Sequence, residues 1–171
     1  MDYKIMAFEP QSAIFRKILL MDFDLQITLQ SRKNYHRILT SHSLEALNTI
    51  PDNFNNNIIW NIAHVIATQQ GLVYGLSGLP LLVDAEFVAA YRKGTKPVGP
   101  VDQEFVDRVD ELLFTTIEQT QKDIEKGVFK QFKSYTTLTN HTLSSVEEAI
   151  TFNNFHEGLH TGSILALRHV I

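Results

Sequence analysis

Apolar positions recur along the chain at helical spacing. Over residues 22–40, Leu25, Leu29, the stem of Arg32, Tyr35 or His36, and Leu39 fall on one side, the repeat of an amphipathic helix. Ser43 and the following LEAL predict a short helical turn that ends before Pro51. A second long helix is expected from about Asn55 to Leu76, closed by the Gly/Pro-rich LSGLP. A short helix is expected over Asp84 to Lys93, before the breaker run GTKPVGP. Asp102 caps a third long helix, with Phe105, Val109, Leu112, Leu113, Thr116, Thr120 and Ile124 on one face and Gly127 at its end. Residues 128–143, rich in Thr, aromatic and β-branched side chains, suit an extended loop or a short strand. Ser144 and Ser145 each begin an S-x-x-E capping box for a last helix that runs almost to Ile171. The fold predicted is all-α, a four-helix bundle with a long crossover between helices 2 and 3. Residues 1–20 form an N-terminal extension carrying an extra helix around 12–20, and residues 21–171 the domain.

Composition narrows the function. A chain of 171 residues, 44% hydrophobic and 20% charged, is one domain with a real core and is not a disordered or low-complexity protein. There is no cysteine, which excludes disulfides, a thiolate nucleophile and any Cys-ligated metal. The net charge of −4 gives no general attraction to nucleic acid or anionic membrane. Scattered lysines such as Lys126, Lys130 and Lys133 read as a solvated face. Residues 53–83 carry no formal charge and are long enough to span a bilayer, but Asn61, His64, Thr68, Gln69 and Gln70 lie inside the run and no Lys/Arg cluster flanks it. A buried helix in a protein away from membranes is expected. Arg16 and Lys17 interrupt the only apolar stretch near the start, so the expectation is a cytoplasmic protein.

The candidate chemistry lies in the histidines. Of seven, His36, His42, His141 and His169 read as ordinary core or boundary residues. His156 and His160 are four apart on the last helix, so they point within roughly 40° of each other, one turn apart. They share a stripe with Asn153, Ile164, Leu167 and Ile171, and two imidazoles facing a core are hard to satisfy without a metal or an acid. His64 lies on the stripe of the second helix with Asn57, Trp60 and Gly71. A bundle that joined the two stripes would make a three-histidine set, whose open positions would suit a catalytic or substrate-binding Zn, Ni or Fe(II) ion. A satisfied histidine core is the competing reading. Asn57, Trp60, Asn61, Asn153 and Asn154 are candidates to support the ligands or touch substrate, with helix capping as the alternative for the amides.

His156-Glu157-Gly158-Leu159-His160 also matches H-E-x-x-H, where the Glu serves as the base of a metalloprotease. Ser163 and Ala166 stand where a metzincin needs Gly and His, and no acidic residue lies among the 11 that follow His160. A protease would therefore need His64 as third ligand. Glu157 is the candidate catalytic base, against a solvated or interfacial carboxylate.

A histidine within WNIAHVIATQQ, a long connection, and a terminal helix with H-x3-H and Gly162 close behind resemble the DinB-like/YfiT superfamily over residues 21–171. The resemblance implies a four-helix bundle, often a homodimer, with a divalent metal on His64, His156 and His160. Relatives include metal-dependent transferases that use low-molecular-weight thiols, and proteins described as hydrolases. A thiol co-substrate would bring its own sulfur to a Cys-free protein, and the ion would lower the pKa of a thiol or water. Where a common family pattern has Arg-Gly-Gln after the last ligand, this chain has Thr161-Gly162-Ser163. The expectation is a metal-dependent thiol transferase or hydrolase acting on a small molecule. A non-catalytic, stress-related bundle that binds metal or ligand and acts through its dimer interface is the alternative.

Overall fold

A computed structural model describes the backbone of residues 10–171 and the side chains of residues 21–171. The described residues form six α-helices: α1 (Pro10–Ser41), α2 (Leu44–Asn48), α3 (Ile58–Gln70), α4 (Ala85–Tyr91), α5 (Gln103–Glu125) and α6 (Val146–Arg168). The two helices expected over 12–20 and 22–40 are one, so the boundary set at residue 20 falls inside α1. Residues 1–9 lie outside the described residues.

The helix starts are chemically defined. Asn57, Asp84, Asp102, Ser43 and Ser145 each accept a hydrogen bond from a backbone N–H in the first turn of their helix. Ser145 is the cap of α6, and the Glu148 carboxylate accepts from the Ser144 N–H at 2.7 Å. At the end of α5, Gly127 takes φ 62°, a left-handed conformation that glycine adopts without strain. Residues 128–143 are mostly irregular, with a minimal antiparallel hairpin pairing Tyr135–Thr136 with Thr142–Leu143.

The long helices form an all-α bundle: α1 packs on α5 and α6, and α3 packs on the same two. Helix α3 is central, and of its 13 residues only Thr68 is not buried. The uncharged run 53–83 permits this, because Ile58, Ile59, Ile62 and Ile66 can each be fully enclosed for about 1.5–3 kcal/mol of transfer energy. Among the described residues no helix is long and apolar enough to cross a membrane. The helix continues past Gln70 as a π-helical turn, Gly71–Gly75, in which the Leu76 N–H reaches the Gly71 carbonyl at 3.0 Å. The Gln70 side chain ties down the chain beyond the turn by accepting from the Leu82 N–H at 2.7 Å.

Helix α6 departs from the expected stripe. Its buried residues include Asn153, Glu157, Ile164 and Leu167, while His156 and His160 sit half-buried beside them and Ile171 is exposed.

Candidate metal centre

The Asn57 cap fixes the start of α3, and from it Trp60, Asn61, His64 and Thr68 follow at helical intervals. The contact of α3 with α6 brings His64 to His156 and His160. Ring centroids stand 5.2 Å apart for His64 and His156, and 4.6 Å for each of the other two pairs. One nitrogen from each ring lies within 4.8 Å of the others. The predicted stripes therefore meet.

Hydrogen bonds set two of the rings. His64 Nδ1 lies 2.6 Å from the Tyr91 carbonyl, which can only accept, so Nδ1 carries the proton and Nε2 keeps its lone pair. His160 Nδ1 lies 2.8 Å from Asn61 Oδ1. That amide is oriented by its own Nδ2, which donates to the Asn57 carbonyl at 2.7 Å, so its oxygen faces His160 and again leaves Nε2 free. A carbonyl or amide oxygen behind each imidazole is the usual support of a metal-binding histidine. The third ring differs: His156 Nδ1 is buried and has no partner. Trp60 stacks on His64 at 4.8 Å and 10°, closing that side of the ring.

Burial keeps these rings neutral. Desolvation, and then the neighbouring His160, His64 and Arg32, depress the His156 pKa to about 3. Desolvation and then His64 bring His160 to about 4. His64 is also lowered, by burial, against its bond to Tyr91. Near pH 7 the cluster offers three neutral nitrogen donors, the form that binds a metal. The donor type, the two anchored N–H groups and the orphaned nitrogen all fit a transition metal with open positions.

The structure places Glu157 elsewhere than expected for a solvated or interfacial carboxylate. It is fully enclosed, and Arg32, equally enclosed on α1, reaches it through Nε at 3.1 and 3.2 Å and through Nη2 at 2.7 Å. Asn153 Nδ2 adds a bond at 2.9 Å. The Glu157 carbonyl accepts from Tyr35 Oη at 2.8 Å and from Thr161 Oγ1 at 2.9 Å. The oxygens that an H-E-x-x-H protease would turn toward a water are thus engaged by a guanidinium. Asn153 belongs to this ion pair, Asn57 is the α3 cap, and Asn154 binds Thr28 and Asp24 on α1.

The remaining histidines have ordinary roles. His36 pairs with Asp110 across α1 and α5 at 2.8 Å, His42 lies 2.9 Å from the Ile38 carbonyl, and His141 and His169 are exposed. Sequence reasoning missed Arg32 as a charge partner, and it missed the Tyr91 carbonyl because a backbone acceptor leaves no mark in side-chain identity.

The family model of the DinB superfamily matches residues 27–164, which includes all three histidines. The chain belongs to the DinB superfamily. No curated protein matches it. In this DinB-superfamily chain the His64–His156–His160 triad can hold a metal ion.

Proposed function

We propose that this DinB-superfamily protein is a metal-dependent enzyme, a thiol-dependent transferase or a hydrolase acting on a small molecule. His64, His156 and His160 would hold a divalent Zn, Ni or Fe ion. The observation that carries this reading is the convergence of three neutral imidazoles, two with the outer N–H anchored and one with a buried nitrogen lacking any partner. Such an ion supplies Lewis acidity, which lowers the pKa of a thiol or water bound beside it.

The protein's own groups do the rest. Tyr91 and Asn61 fix the tautomers of His64 and His160, and Trp60 shields one face of His64. Thr68 Oγ1 stands 3.3 Å from His64 Nε2, at the one half-open position of α3, and marks the approach to the site. We read Glu157 as a positioning residue, because Arg32 from α1 and Asn153 from the preceding turn of α6 engage its carboxylate next to His156. The reading includes a cytoplasmic homodimer; exposed Phe155 and Leu159 on α6 offer apolar surface for the association.

The test compares zinc-loaded wild type with His64→Ala and His156→Ala for transfer of a small thiol to an electrophile and for ester and amide hydrolysis. Turnover that disappears with the metal in both variants supports the enzyme. Full metal occupancy without turnover on any pair favours the non-catalytic alternative.

A further inference from the structure

Beside the triad lies a cavity of about 250 Å³. Thr68, whose hydroxyl neighbours His64 Nε2, forms part of its wall. Ala67, Leu72, Leu76 and Val88 make the wall apolar, and Gly71 leaves it open, since a Cβ built there meets nothing within 4 Å. Arg92 and Lys93, at the end of α4, complete the lining with Tyr135 from the hairpin. None of the lining residues is acidic. Among the described residues the Arg92 and Lys93 side chains make no ion pair.

We infer that this cavity receives the carboxylate-bearing end of a small organic substrate, with Arg92 and Lys93 on the carboxylate and the aliphatic part against Leu72 and Val88. Two adjacent cations at the mouth of an apolar recess select an anion on a short carbon chain. The volume is that of about eight liquid waters, enough for a chain of a few carbons. A cavity of about 520 Å³ elsewhere on the bundle is the contrary case. Its lining includes Asp24, Glu147 and Glu148, which would repel the same ligand. The inference deepens the proposed function and rests on it for the reaction, whereas binding of the anion rests only on the cavity.

The experiment is calorimetric titration of zinc-loaded protein with 3-mercaptopropanoate, 2-mercaptoethanol and 2-aminoethanethiol, and of metal-stripped protein with butanoate and butylammonium. The carboxylate probes should bind at least about tenfold more tightly than the neutral and cationic ones, a preference that shrinks with added salt. Arg92→Ala/Lys93→Ala should abolish that preference while the zinc content stays unchanged. Gly71→Leu, whose side chain enters open space, should weaken every probe. Equal affinities for the three thiols, or a preference that survives Arg92→Ala/Lys93→Ala, would overturn the inference. Loss of zinc binding with the butanoate preference intact would instead overturn the metal reading and leave the cavity standing.

Discussion

Glu157 and His156 are consecutive on α6, yet their surroundings are opposite. Glu157 is closed: a guanidinium, an amide, a tyrosine and a threonine satisfy its carboxylate and carbonyl. His156 is open, with a buried nitrogen that nothing in the protein meets. The contacts of Glu157 tie α6 to α1, although Arg32 Nη1 and Asn153 Oδ1 beside it are also buried without partners, whereas the His156 ring makes no polar contact of this kind through Nδ1. The difference is the ground for the separate roles proposed for the two residues.

Breaking the closed cluster should have the largest effect. Glu157→Ala leaves Arg32 charged, enclosed and unpaired, and should cost about 3–5 kcal/mol in urea unfolding. Arg32→Met/Glu157→Leu removes both charges and should recover most of that loss. The open cluster should answer to metal. At a hundredfold excess over Kd, a zinc salt should stabilise the wild type by about 2.7 kcal/mol and leave His156→Leu unmoved, read as a shift in thermal midpoint.

The histidine cluster should also answer to pH. In the metal-free protein the folded pKa values of His156 and His160, about 3 and about 4, lie below that of an unfolded histidine. The unfolded chain therefore binds more protons as pH falls, and stability is lost progressively from near pH 6.5 down toward those values. His156→Leu/His160→Leu should flatten that decline. Asn61→Ala, which removes the acceptor behind His160, should weaken metal binding roughly 10- to 100-fold in a competition titration, and should cost the metal-free protein about 1–3 kcal/mol for the buried hydrogen bonds it removes. Gly71→Ala should have the smallest effect, a gain of about 0.5–1 kcal/mol, because the added methyl sits in a helical turn and meets nothing.

Much of this arrangement is visible in the sequence. Caps, breakers and periodicity mark the helices, and His64, His156 and His160 can be picked out by spacing and by the lack of a satisfying partner. Helix α3 extends into a π turn that spacing alone does not distinguish from α-helix. Arg32 and Glu157 were readable in principle. Residues 150, 153, 157, 164 and 167 of α6 follow the three-four spacing of a core stripe, and Arg32 holds an equivalent place on α1 between Leu25 and Leu39. The Arg32 stem falls on the apolar side of α1 in the sequence pattern, but nothing in the spacing of either helix pairs its head with Glu157 across the bundle. The Tyr91 carbonyl and the cavity depend on how α4 and the hairpin settle against α3, which no local pattern encodes.

The most direct test of the metal centre is elemental analysis of wild type purified without added metal, beside His156→Ala/His160→Ala. The expected result is about one divalent transition metal per chain in the wild type and none in the variant, with helix content preserved. No metal in either protein, with equal stability, would contradict it and return the three histidines to the packing of the bundle.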